Sequence, residues 1–172
     1  MRSELFQPSI EGEARLLLLI TAFSHGNNSL EGRTKLAKLD FFLRYPTYFR
    51  RALQLRGAIL TQNEEAVDFE DIESRMVRYR YGPWDPSYYA ILGRLIGKGL
   101  IVPMPYAKGI GYKTTEKGQE IAAKLRVEPV WNETARKLDL LRKYLDLNGT
   151  TLKTFIYDNF PEVTKADWGE SL

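Results

Sequence analysis

Tyr81–Gly118 reads YGPWDPSYYAILGRLIGKGLIVPMPYAKGIGYKTTEKG, and its reading decides the fold. Gly82, Pro83 and the Asp85-Pro86 pair spell a turn into a helix, with Asp85 as N-cap and Pro86 at the first helical position. Apolar residues recur at Tyr88, Ile91, Leu92, Leu95 and Ile96, close to the helical period, and Gly97 and Gly99 end the run. Leu100-Ile101-Val102 and Gly111-Tyr112-Lys113 are short strands joined through Ala107-Lys108-Gly109-Ile110. Helix, strand, basic loop and strand in that order describe a winged helix.

Upstream, Glu11 to Phe23 (EGEARLLLLITAF) is apolar almost all round and predicts a central buried helix, stopped by His25-Gly26-Asn27-Asn28. A second helix opens at Gly32-Arg33-Thr34, with Leu36, Leu39, Phe42 and Leu43 on one face and Lys35, Lys38 and Arg44 outside. Pro46 breaks it and starts a third, Thr47 to Leu55, ending at Gly57. Three such helices with tight joints outline a helix-turn-helix core. Ile59 to Glu73 reads as an acidic loop or short helix, and Met76 to Tyr81 alternates as a strand. After the wing come a helix from Thr115 towards Pro129, an amphipathic helix from Trp131 to Leu145, and a short one from Thr150 to Phe160. The tail PEVTKADWGESL is polar and reads as frayed apart from Trp168. The expectation is a mainly α protein with a small β wing (α+β). A winged-helix domain with N-terminal helices spans 1–128, and a C-terminal helical extension spans 129–172.

With 172 residues, 44% of them hydrophobic and 12% aromatic, the chain can build a proper core. It has no cysteine, which excludes disulfides, thiolate nucleophiles and Cys-ligated zinc. The N-terminal stretch predicts no signal peptide, and the longest apolar run, Leu16 to Ile20, is too short to span a bilayer. A cytoplasmic protein without membrane contact is expected.

The net charge is only +3, but it is unevenly distributed. Seven bases stand between Arg33 and Arg56 against the single acid Asp40, six acids and no base between Glu64 and Glu73, and four bases with no acid between Pro86 and Lys113. Such blocks suit docking on a charged partner, and equally suit solvated helix faces. The candidates for DNA contact are Arg33, Lys35, Lys38, Arg50 and Arg51 in the first block, Arg94 and Lys98 on the wing-adjacent helix, and Lys108 and Lys113 in the wing. A reader of specific sequence presents several amide or guanidinium side chains, and this helix presents Arg94 alone. Gly93 and Gly97 instead leave a flat groove for another backbone, so protein contact competes with DNA contact. The apolar stripes of the last two helices exceed the needs of a winged helix. Trp131, Leu138, Leu141, Leu152, Phe155, Ile156 and Phe160 therefore either cover the core or present a partner interface.

Catalysis finds little support. His25 stands at a helix end beside Gly26, and no Walker glycine-to-lysine spacing is present. Asp68, Glu70, Asp71 and Glu73 cluster as magnesium-binding carboxylates do, but without a following lysine on a strand they read as a solvated loop. No cofactor is expected.

Three segments together, RLLLLITAFSHGNNSLEGRTKLAKLDFFLRYP, RYRYGPWDPSYYAILGRLIGKGLI and YKTTEKGQEIA, resemble the middle component of bacterial ABC three-component systems, the small accessory subunit of Lamassu-type anti-phage systems. The resemblance covers roughly residues 12–126 and rests on structural signatures. It implies a non-enzymatic subunit that binds an SMC-like ABC ATPase and holds an effector, commonly a nuclease, inactive until foreign DNA is sensed, with DNA met through the complex. It supplies no catalytic residue. A stand-alone winged-helix transcription regulator and an antitoxin-like partner protein remain the alternatives.

Overall fold

The computed structural model describes residues 7–65, 76–79 and 82–172. The carboxylate cluster Asp68 to Glu73 lies outside them. The described chain is mainly helical with two small antiparallel strand pairs, an α+β arrangement.

Helix α1 (Ile10–Phe23) is the axis of the fold. Ser9 caps it by accepting from the Gly12 amide at 2.9 Å, and Glu11 and Glu13 place negative charge at the positive end of the helix dipole. Leu16 to Ile20 are all at most 2% exposed, each contributing about 1.5–3 kcal/mol of transfer free energy. Helix α2 (Arg33–Arg44) packs against it, and Pro46 opens α3 (Pro46–Leu55). Phe41, Phe42, Tyr45, Tyr48 and Phe160 form a ring-on-ring cluster at that corner, with centroids 5.0–6.0 Å apart.

After the short α4 (Gln62–Glu65) come strands β1 (Val77–Tyr79) and β2 (Gly82–Trp84), paired antiparallel, and then α5 (Tyr88–Gly97). The N-cap of α5 is Ser87, not Asp85. The Asp85 carboxylate instead accepts from the Ser87 amide and hydroxyl at 2.8 and 2.6 Å and turns inward to Arg44. Strands β3 (Ile101–Tyr106) and β4 (Gly109–Thr114) form a longer hairpin than the sequence predicts, in register from Ile101 opposite Thr114 to Tyr106 opposite Gly109.

Thr115 caps α6 (Glu116–Val127), a 3-10 turn at Pro129–Trp131 leads into α7 (Asn132–Leu145), and Asn148 caps α8 (Gly149–Asn159). The tail is not frayed. Past α9 (Pro161–Thr164) it runs alongside β1, with the Arg78 amide donating to the Glu170 carbonyl at 2.9 Å and the Leu172 amide to the Met76 carbonyl at 3.0 Å. Its polar composition hid these backbone bonds.

Helices α7 and α8 pack on α1 and α2 and share one continuous core with them. Leu138, Leu141, Leu152, Ile156 and Phe160 are completely buried there, so they fill this chain's own interior; Trp131 and Phe155 lie half-buried against it. Their stripe looks surplus only if α1 is assigned to the first three helices alone. An all-round apolar α1 needs cover on a second side, and α7 supplies it.

Candidate binding cleft and the charges around it

The sequence places Lys38 and Arg44 on the outside of α2, but both are buried. Arg44 belongs to a charge network that joins α1, α2 and the turn before α5. Arg15 Nε donates to Asp40 Oδ1 at 2.7 Å, Tyr88 Oη to Asp40 Oδ2 at 2.7 Å, and Arg44 to Asp85 at 2.7 Å, with Arg44 3.5 Å from Asp40. Arg15, Asp40 and Arg44 are each at most 2% exposed. Burial alone would raise the Asp40 pKa, yet the Arg15 and Arg44 charges and the Arg15 and Tyr88 hydrogen bonds outweigh it and hold the carboxyl below its usual range. Burial, reinforced by Asp40, pushes the Tyr88 hydroxyl well up, so it stays a donor. The network holds α5 in place from below.

Above it lies a cleft of about 620 Å³ between the start of α2, the β2–α5 turn and the tip of the β3–β4 hairpin. Backbone contacts build it. Leu30 and Tyr112 exchange amide bonds at 2.9 Å, which ties the entry of α2 to β4. A Cβ on Gly111 would sit 2.7 Å from the Leu30 carbonyl oxygen, so glycine is what lets the hairpin close. Gly32 takes φ 89° and turns the chain into α2 without a side-chain cap, beside the Tyr106 hydroxyl.

Trp84, Tyr89 and Tyr106 are the aromatic lining of the cleft, Arg33 and Lys108 its cations. Trp84 stands edge-on to Tyr88 at 5.2 Å and 5.8 Å from Tyr89, and the Arg33 guanidinium lies over the Tyr89 ring at 4.7 Å. No carboxylate lines the cleft among the described residues.

The nine candidate cations do not form one surface. Lys38 is buried and donates to the Thr34 carbonyl at 3.3 Å; burial, with Lys153 nearby, lowers its pKa to about 8. Lys35 faces Asp146 at 3.8 Å, and Arg51 bonds Glu162 at 2.5 Å and the Asn159 carbonyl. Arg50 is exposed on α3. Lys113 donates to the Gly26 carbonyl. Arg94 and Lys98 turn to the same carboxylate, Glu13, at 3.8 and 2.7 Å. Arg33 and Lys108 differ: neither makes an ion pair or hydrogen bond with a described residue, and the cleft brings them together. Sequence reasoning named both cations but missed the three rings beside them, because the fold alone brings Tyr106 and Arg33 up to Trp84 and Tyr89.

His25 is exposed on the rim of a second, smaller depression. Among the described residues no three His, Asp or Glu side chains converge on a metal-sized site, and no helix is long and apolar enough to cross a membrane. Compared with protein-family models, curated proteins and solved structures, the chain matches none.

Proposed function

We propose that this chain is a non-catalytic assembly subunit of a DNA-sensing complex, binding an SMC-like ABC ATPase and an effector such as a nuclease. In this reading α5 and the β3–β4 hairpin are the helix and wing of a winged helix turned to protein contact. ATP hydrolysis and DNA cleavage belong to the partner chains.

The observation that carries the reading is the pairing of Arg94 and Lys98 with Glu13. Two cations and one carboxylate leave this cluster with one net positive charge, and the other exposed residues of α5 are Tyr89, Ala90, Gly93, Ile96 and Gly97. Nothing lies within 4 Å of where a Cβ would stand on Gly93 or Gly97, so a partner backbone can approach closely. Such a surface suits packing and offers little to base edges. The sequence resemblance to the small subunit of three-component systems supports the same assignment.

A stand-alone DNA-binding regulator is the second reading, favoured by Arg33 and Lys108, which make no ion pair with a described residue. Titrating blunt duplex DNA with the purified chain at two or more salt concentrations separates them. The assembly reading predicts weak binding with a shallow salt slope. Tight binding whose logarithm falls by about 0.9 per phosphate contacted, over six or more contacts, would make the chain a regulator.

A further inference from the structure

We infer that the cleft between α2, α5 and the hairpin tip binds an unpaired nucleotide of single-stranded nucleic acid, stacking its base on the aromatic lining and holding its phosphate with Arg33 and Lys108. The inference stands on the cleft alone and does not depend on assembly with an ATPase.

Three properties converge there. The cleft, at about 620 Å³, falls in the range of small-ligand sites and is open at its mouth, so a strand can enter and leave. Its rings, Trp84, Tyr89 and Tyr106, come from three different elements and offer π-faces that any base can use. Its cations, Arg33 and Lys108, make no ion pair with a described residue, and the Arg33 guanidinium lies over the Tyr89 ring at 4.7 Å. The amides opening α2 lie beside Arg33 with no side-chain cap over them, which adds donors for the same phosphate. A duplex does not fit this description, since its bases are stacked on each other and unavailable to side chains. An acidic peptide would use the two cations but leave the three rings unmatched.

The probes are oligothymidine and oligouridine of about eight nucleotides, titrated into the purified full chain by intrinsic tryptophan fluorescence and by anisotropy of an end label. Binding of either strand, weaker for the duplex, is expected. With two phosphates neutralised at about 0.7 each, log K should fall against log salt with a slope of about −1.4. The thymidine and uridine arms tell DNA from RNA. Tyr89→Ala removes an exposed ring and Lys108→Glu reverses a hairpin-tip charge. Each should weaken binding about tenfold, the loss of one stack or one phosphate contact. Lys124→Glu makes the same charge change on the exposed face of α6 and should leave binding unchanged. Unchanged thermal midpoints keep folding out of the comparison. No binding of either strand overturns the inference, as does an equal loss in Lys124→Glu. Tighter binding of an oligoglutamate peptide, sensitive to Lys108→Glu, would assign the cleft to a protein partner and overturn it too.

Discussion

Asp40→Asn keeps the shape of the buried network and removes its central charge. In the folded protein Asp40 faces Arg15 at 2.7 Å, the Tyr88 hydroxyl at 2.7 Å and Arg44 at 3.5 Å. Arg44 keeps a counterion in Asp85 after the change, at 2.7 Å. Arg15, 2% exposed, loses the carboxylate it pairs with. The cost is that of breaking a buried ion pair by removing one partner, about 3–5 kcal/mol. For a chain of this length, each kcal/mol lowers the midpoint by about 2–4 °C, which gives a fall of roughly 6–20 °C. Urea unfolding followed by circular dichroism at pH 7 reads the free energy directly. Replacing the pair together, Arg15→Met with Asp40→Leu, should cost less than Asp40→Asn alone, because no charge is stranded. A loss of about 1 kcal/mol or less in the single variant would refute the claim that this network holds α1, α2 and α5 together. The pH dependence gives a second reading with a defined sign. Because the Asp40 pKa is lowered in the folded state, its contribution is complete above the unfolded carboxylate value of about 4 and is lost as pH falls below it.

Lys38 also makes stability rise with pH, but at neutral pH its burial is a cost rather than a gain. Its pKa falls from the ordinary lysine value to about 8 on folding, so the unfolded chain binds more protons from there upward; stability should rise with pH between about 8 and 10.4, and Lys38→Met should flatten that rise and stabilise the protein at pH 7, all read by urea titration. Gly118→Ala tests the close approach of α6 to Leu100, the residue before β3. Alanine in a helix interior ordinarily gains up to about 1 kcal/mol, but its Cβ would sit 2.0 Å from the Leu100 carbonyl oxygen, so a loss of about 3 kcal/mol is expected in thermal or urea unfolding. Tyr88→Phe removes one hydrogen bond to a buried carboxylate and should cost about 1.5–3 kcal/mol by the same assay. Arg94→Ala and Lys98→Ala should leave affinity for duplex DNA unchanged in a filter or anisotropy assay, since Glu13 already engages both cations.

The parts of the fold legible in the sequence are those with local signals. The run Leu16 to Ile20, Pro46 between two helices, and the glycines around Lys108 each mark their elements without help from the rest of the chain. The periodicity of α2 was legible as well, but its charges were misplaced. A helix wedged between α1 on one side and α7 and α8 on another has little solvent face, and Lys38 and Arg44 fall inside it. One trace of this was in the sequence: Arg15 stands in a helix with no other basic residue, and Asp40 and Arg44 sit four apart in the same basic block. The cleft was less legible still. Trp84 and Tyr89 are near neighbours in sequence, but Arg33 joins the hairpin that carries Tyr106 through the Leu30–Tyr112 bridge, and no local pattern announces that bridge. The polar tail was misread for the same reason, since it is ordered by backbone bonds to β1 rather than by apolar side chains.

The assembly reading is tested most directly by a tagged pull-down of the chain from its native cell, with partners identified by mass spectrometry and the eluate assayed for ATPase. A large coiled-coil ATPase recovered in fixed ratio, with activity that tracks it, is the predicted result. Recovery of the chain alone, or only with a second copy of itself, would contradict the assembly role and leave a DNA-binding regulator as the better reading.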